Sequence, residues 1–113
     1  MSWTLIGMRA SDSAHHPTDV PDDVPPILAR ADLVRHLADV LPGTEWSSLT
    51  HGTFFTPNAA LEIDLRDHDP VQYLYLTLRG DYRELEPRIG AALASLGLRA
   101  VGEDGEFYEV LTS

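Results

Sequence analysis

The sequence contains no cysteine and no lysine. Without cysteine the chain can form no disulfide, thiolate nucleophile, zinc ribbon or iron–sulfur cluster, and this absence favours a reducing compartment. Without lysine it has no Schiff-base lysine, no phosphate-loop lysine and no lysine general base. The eight basic residues, all arginine, stand against 18 acidic ones and give a net charge of −10. That charge opposes binding to nucleic acid or anionic membrane, and it is compatible with a basic protein partner.

Long apolar runs are also lacking. No stretch approaches the ~20 residues that a bilayer-spanning helix needs, and residues 1–9 have neither the basic nor the apolar region of a signal peptide. We therefore expect a cytoplasmic protein without a membrane partner. With 113 residues, 43% of them hydrophobic, the chain is long enough for one domain with a core of its own.

The first third of the sequence combines a strand pattern with a proline-rich stretch. Residues 3–9 predict a strand whose inward side chains are Trp3, Leu5 and Met8. Residues 10–28 contain four prolines among aspartates, and proline disrupts both helices and central strands. We expect an extended loop that lies over the surface of the domain.

Two segments have helical spacing. Residues 30–41 place five apolar side chains on one stripe, which predicts an amphipathic helix. A second helix is predicted from Asp81 to Gly97, and Asp81 and Glu84 have the spacing of a capping box. Pro87 lies six residues past the cap, so either the helix kinks there or the true helix begins near it.

Five further segments have strand patterns: 45–56, which is one strand or an irregular pair, then 60–66, 71–79, 98–102 and 106–111, of which the last two are short. A short turn joins 60–66 to 71–79, so these two form an antiparallel hairpin. The order β-α-β-β-β-α-β(-β) predicts a single α+β domain over residues 1–113. We expect a two-layer sandwich with both helices on one face of an antiparallel sheet, a variant of the ferredoxin-like arrangement.

The alternation in the predicted hairpin defines a second, open face of the sheet. If its leucines and isoleucine pack under the helices, the opposite face carries the residues Glu62, Asp64, Arg66, Tyr73, Tyr75, Thr77 and Arg79. This open face is either an ordinary solvated surface or a partner-binding surface, because tyrosine and arginine are enriched at interface hot spots. It shows no converging acid, base and pocket.

The histidines invite a metal hypothesis that the sequence does not support. His15 and His16 are adjacent and belong to no helical ligand pair, although aspartates surround them. His68 lies between two aspartates in what reads as a plain turn. We predict no metal and no other cofactor.

Acid–base and nucleophilic chemistry are equally unsupported. Glu62 and Asp64 lie about 7 Å apart on one strand, which fits a glycosidase pair, but on an open face nothing would raise the pKa of either carboxyl. Ser47, Ser48 and His51 are close in sequence, yet no nucleophile-elbow motif contains either serine. We therefore name no catalytic residue and favour a binding module over an enzyme.

The sequence resembles a group of small bacterial proteins to which no function is attached. The shared features span nearly the whole chain and are structural: Met1-Ser2-Trp3, Pro25-Pro26, Pro42-Gly43-Thr44-Glu45-Trp46, Asp69-Pro70-Val71, Arg79-Gly80 and Gly105-Glu106-Phe107. The resemblance implies a bacterial source and assigns no residue a role.

Three functional hypotheses follow. The first is an acidic protein-binding module of unknown partner. Its concrete form would be an immunity-like or inhibitor-like protein that covers a basic protein. The second is a homodimer that associates through the open face. The third is a small-ligand site or enzyme between the sheet and loop 10–28, lined by Trp46, Phe54, Tyr73 and Tyr75.

Overall fold

The computed structural model describes residues 2–10, 16, 19 and 24–108. Within them the elements are, in chain order, β1 (Ser2–Met8), α1 (Arg30–Val40), β2 (Glu45–Trp46), β3 (His51–Thr56), β4 (Ala59–Asp64), β5 (Leu74–Gly80), α2 (Tyr82–Leu96), β6 (Arg99–Gly102) and β7 (Phe107–Tyr108). Both helices pack on one face of the sheet, so the predicted α+β class is confirmed.

The strands form one sheet in the order β2-β3-β4-β5-β1-β6-β7, and all neighbouring strands are antiparallel. The inner strands β4, β5, β1 and β6, with a helix after β1 and another after β5, have the sheet order of the ferredoxin-like arrangement. Strands β2 and β3 extend one edge and β7 extends the other. Residues 45–56 therefore contain a strand pair, the second of the two alternatives that the sequence left open.

The predicted hairpin of alternating leucines has the expected register. Leu61 lies opposite Leu78 and Ile63 opposite Leu76, and these side chains are buried beneath the helices. Both strands end earlier at this turn than the sequence predicts, so the connection between β4 and β5 spans residues 65–73 instead of the predicted 67–70. Within it Val71 is fully buried and forms a bridge with Leu28, the residue that leads into α1.

Helix α1 starts without a side-chain cap of its own. The carboxylate of Asp69, in the connection between β4 and β5, instead accepts a hydrogen bond of 3.0 Å from the backbone N–H of Arg30. Leu33 and Leu37 supply its buried stripe, as the helical spacing predicts. The helix therefore depends on tertiary contacts at its start and along its apolar side.

Helix α2 has the predicted cap but not the predicted capping box. The carboxylate of Asp81 accepts a hydrogen bond from the backbone N–H of Arg83 at 3.2 Å. The side chain of Glu84, however, does not accept from the backbone N–H of Asp81, as a capping box requires. The backbone N–H of Asp81 donates to the carbonyl of Asn58 at 3.0 Å instead. The helix continues through Pro87 to Leu96, so the interpretation that it begins near that proline is wrong.

Gly52 makes room for a bulky neighbour on the adjacent strand. It lies inside β3, directly opposite Trp46 on β2. A Cβ atom at Gly52 would lie 2.9 Å from the indole of Trp46, so the glycine makes room for the ring. Trp46 thereby packs, half-buried, against the core on the helix-bearing side of the sheet.

Most of the predicted loop 10–28 falls outside the described residues, as do 109–111 of the last predicted strand. The described end of the loop packs closely on the domain: Val24 and Ile27 are buried. The guanidinium of Arg9 donates to the carbonyls of Pro26 and Ile27 at 3.0 and 2.9 Å, and also to that of Leu96 at 3.2 Å. This arginine ties the entry of α1 to the end of α2.

Within the described residues, neither helix has the length and apolar character needed to cross a membrane.

Candidate functional site

The open face of the sheet carries the side chains that the sequence assigns to it. Strand pairing sets Glu62 beside Thr77 and Asp64 beside Tyr75, on the face opposite the helices. Arg79 lies further along β5 on the same face, and its Nε atom contacts the Glu62 carboxylate at 2.8 Å. The remaining two predicted residues, Arg66 and Tyr73, lie just outside the strand ends rather than within the ladder.

Arg66, Tyr73 and Tyr75 nevertheless meet in one cluster, which we call the Arg–Tyr cluster. The guanidinium carbon of Arg66 lies 4.3 Å from the centre of the Tyr75 ring, a cation–π distance. The ring centres of Tyr73 and Tyr75 are 6.4 Å apart, with their planes at 53°. The sequence places the three residues on one face, but it does not reveal this stacking.

Asp64 holds the Arg–Tyr cluster in place. One of its carboxylate oxygens accepts from the backbone N–H of Arg66 at 2.8 Å, and the other lies 3.7 Å from the Arg66 Nε. The backbone of Arg66 has a φ of 57°, a left-handed conformation that an arginine rarely adopts. The carboxylate therefore stabilises the tight turn that folds the guanidinium back over Tyr75.

A shallow cavity of about 440 Å³ adjoins the Arg–Tyr cluster at the end of β4. Its lining residues are Leu65, Arg66, Asp67, His68, Gln72, Tyr73 and Tyr75. Polar and aromatic side chains thus line most of this cavity.

His51 extends the same polar surface toward the sheet edge. Its Nε2 atom lies 3.4 Å from the Asp64 carboxylate, and its Nδ1 atom lies 2.9 Å from the Thr50 hydroxyl and 3.4 Å from that of Ser48. Serine, histidine and aspartate are therefore aligned. However, the Ser48 hydroxyl already accepts from the backbone N–H groups of Thr50 and His51 at 3.2 and 3.1 Å. These contacts are those of a serine-stabilised turn on an exposed strand end, and they do not activate a nucleophile.

The other half of the open face is apolar, and sequence reasoning missed it. Ile6 lies beside Tyr75, Val101 lies beside Ile6, and Phe107 lies beside Val101, so one row crosses β5, β1, β6 and β7. The guanidinium carbon of Arg99 lies 3.7 Å from the centre of the Phe107 ring. The sequence signal for this row lies in β1. The apolar Ile6 alternates with the inward-facing Trp3 and Leu5, so its side chain lies on the open face.

The predicted lining of a small-ligand site is divided between two faces. Trp46 and Phe54 lie on the helix-bearing side, and Phe54 is buried in the core. Tyr73 and Tyr75 lie at the open face. The four side chains therefore do not line a common site.

A larger cavity of about 590 Å³ lies on the helix-bearing side, beyond the first turns of α2. Its lining residues are Ser2, Trp3, Leu78, Gly80, Tyr82, Glu86 and Tyr108. Trp3 is on the inward face of β1, as predicted, but it is 39% exposed because it borders this opening. Tyr82, at the start of α2, is 55% exposed. We call this the aromatic cavity; its residues are too scattered along the sequence for any motif to reveal it.

Glu86 and Tyr108 both belong to the lining of the aromatic cavity, one on α2 and the other on β7. Burial, followed by the negative charge of the Glu86 carboxylate, raises the pKa of Tyr108 to about 12. The Tyr108 hydroxyl therefore stays protonated at physiological pH.

The described residues contain no group of three or more histidine, aspartate or glutamate side chains disposed to hold a metal ion. No protein-family model, no curated protein and no solved structure matches the chain.

Proposed function

We propose that this chain is an acidic protein-binding module whose contact surface is the open face of the sheet. The observation that carries the proposal is the Arg–Tyr cluster, which Asp64 holds together through contacts within the chain itself. Tyrosine and arginine are the residues most often found at interface hot spots, and affinity is gained when their conformation is fixed before binding. An immunity-like or inhibitor-like protein that covers a partner would have such a surface.

The charge of the chain indicates a basic partner. The net charge is −10, and the two arginines predicted for the open face, Arg66 and Arg79, are paired with Asp64 and Glu62. Complementary charge speeds the encounter of two proteins, and salt screens this effect. Tyr73 and Tyr75 of the Arg–Tyr cluster supply apolar contact area, and salt does not screen its contribution to the binding free energy.

The test is a pull-down from an extract of the source organism at low and at moderate salt, followed by affinity measurement on the recovered partner. Tyr73→Ala/Tyr75→Ala is the test variant, and Tyr82→Ala is the matched control because this exposed tyrosine lies on the other side of the sheet. We expect the test variant to weaken binding by on the order of thirtyfold or more, the range of hot-spot residues, and the control to bind normally.

Circular dichroism of both variants controls for folding. Equal losses in the two variants, or retention of the partner by the Tyr73→Ala/Tyr75→Ala variant, would contradict the location of the binding surface. A partner whose affinity does not change with salt would contradict its basic character.

A second candidate, self-association through the same face, is favoured by the apolar row of Ile6, Val101 and Phe107. Phe55, at the opposite edge of that face, is 57% exposed. A homodimer would cover both. Sedimentation velocity compares the wild type with Val101→Glu: a dimer that the glutamate dissociates supports this candidate, and a wild-type monomer removes it.

A further inference from the structure

The aromatic cavity collects large side chains from three separate elements. Trp3 comes from β1, Tyr82 from α2 and Tyr108 from β7. Leu78, nearly fully buried, forms the apolar floor beside Trp3. Isolated exposed aromatic residues are common on protein surfaces, but several around one opening indicate a binding site.

The position of Trp3 is fixed by a glycine in the neighbouring strand. A Cβ atom at Gly102 would lie 3.0 Å from Cζ2 of the Trp3 indole, so the ring rests against bare backbone. The start of α2 on the opposite wall is held as well, because the backbone N–H of Asp81 donates to the carbonyl of Asn58 at 3.0 Å. Walls that are held by contacts within the fold need little ordering when a ligand binds.

The charge of the lining selects the ligand. Glu86 is the single ionisable carboxylate among the described lining residues, and no arginine or histidine joins it. An anionic ligand would face this carboxylate in a chain whose net charge is −10. A cation would be attracted both by Glu86 and by the negative faces of the surrounding rings. Aromatic walls favour a methylated ammonium group. Its methyl groups pack on the rings, and it keeps the positive charge that the rings attract.

We propose that the aromatic cavity binds a small molecule that carries an N-methylated ammonium group. The volume of about 590 Å³ exceeds what such a head group fills, so the ligand would have a further apolar part that packs on Leu78. This site lies on the other side of the sheet from the open face and is independent of the proposed protein binding.

The experiment uses choline and its neutral isostere 3,3-dimethylbutan-1-ol as the paired probes. The two indole N–H resonances in nitrogen–proton spectra of the full chain report on Trp3 and Trp46 separately, and Trp3→Phe assigns them. We expect choline to shift the Trp3 resonance in a saturable way, with an affinity about tenfold higher than that of the isostere, the range of a cation–π contact reinforced by a carboxylate.

Two variants test the residues. Glu86→Gln and Tyr82→Ala, both at partly exposed positions, should each weaken choline binding several-fold while the spectrum remains that of a folded chain. Tyr73→Ala/Tyr75→Ala, on the open face, should bind choline like the wild type, so failure of one proposal is distinguishable from failure of the other. Equal binding of the isostere, a response at Trp46 alone, or no saturation with choline would overturn the inference.

Discussion

The carboxylate of Glu84 accepts two hydrogen bonds from Asn58, one from its backbone N–H at 3.1 Å and one from its side-chain amide at 2.7 Å. Asn58 in turn accepts at its carbonyl from the backbone N–H of Asp81. The turn between β3 and β4 is thus hydrogen-bonded both to Asp81, the N-cap of α2, and to Glu84 in its first turn. This cross-connection replaces the local capping box that the sequence predicts, and it joins the helix to the sheet.

This connection should weaken in acid. Hydrogen bonds from Thr56 and then from Asn58 hold the pKa of Glu84 below its ordinary value of 4.5, and that of Asp81 is lowered from 3.8, chiefly by its hydrogen bond from the Arg83 side chain. Because the folded-state pKa values are lowered, these groups stabilise the fold above pH 4.5 and lose that contribution as pH falls through the folded-state values.

We expect Glu84→Gln to lower the thermal midpoint at pH 7 and to approach the wild type as the pH is lowered through the folded-state pKa of Glu84, because both side chains are then uncharged. Thermal melts across this range provide the measurement. Asp39→Asn, at an exposed position on α1, is the matched control and should change little at any pH. A constant difference between wild type and Glu84→Gln down to pH 2 would show that the carboxylate charge is not what matters.

Gly80 should tolerate no side chain. Its φ is +81°, and a Cβ atom there would collide with the carbonyl oxygen of Asn58. Gly80→Ala therefore combines left-handed strain of about 1–2 kcal/mol with a backbone collision, and we expect a total loss of roughly 3 kcal/mol or more in urea unfolding. Gly105 also has a positive φ, +76°, but open space around it, so Gly105→Ala should cost only about 1–2 kcal/mol. Similar losses would mean that the turn relaxes around the new methyl group.

Leu61 and Leu49 form a matched pair for the core. Leu61 is fully buried beneath the helices, whereas Leu49 is 73% exposed. We expect Leu61→Ala to reduce the free energy of unfolding by about 2–5 kcal/mol, and Leu49→Ala to change it by no more than about 0.5 kcal/mol. Denaturant titration measures both. A large loss at Leu49 would assign this leucine to an interface in the unmutated protein.

The sequence predicts the β4–β5 hairpin well because every second residue is a large apolar one, and a shift of register by one residue would expose them all. It predicts both helices for a similar reason. It does not predict the hydrogen bonds from Asn58 to Glu84, because a glutamate that accepts from its own cap residue and one that accepts from a distant donor leave the same local pattern. Likewise Gly52 resembles a turn residue until its strand partner is seen to be Trp46.

The residues of the candidate surfaces also fall into those that local alternation predicts and those that only the tertiary structure places. The seven predicted open-face residues belong to two consecutive strands, so alternation alone assigns their face. Ile6 and Phe107 join that face only through strand pairings between distant parts of the chain. The aromatic cavity needs β1, α2 and β7 to be placed together, and no spacing between Trp3 and Tyr108 carries that information.

Tyr108 should be the last tyrosine to ionise. Its pKa is raised to about 12, first by burial and then by the nearby Glu86. Because the folded-state value is above the ordinary 10, its contribution to stability is complete below pH 10 and is lost as the pH rises toward 12.

Alkaline titration followed by tyrosinate absorbance should thus show a late step that Tyr108→Phe removes and Tyr82→Phe leaves in place. Ionisation of Tyr108 near pH 10, or a late step that persists in the Tyr108→Phe variant, would contradict the burial of Tyr108 beside Glu86 at the cavity wall.

Strand β1 lies between β5 and β6, so its pairing partners begin only at Leu74 and Arg99. During synthesis on the ribosome, the strand made earliest in this chain therefore waits for partners that come from its second half. Leu5 stays in water until most of the sequence has been translated, and the local β3–β4 and β4–β5 hairpins can close before it docks. Docking of β1 therefore closes the longest loops of the sheet, and we expect it to follow the closure of these local hairpins.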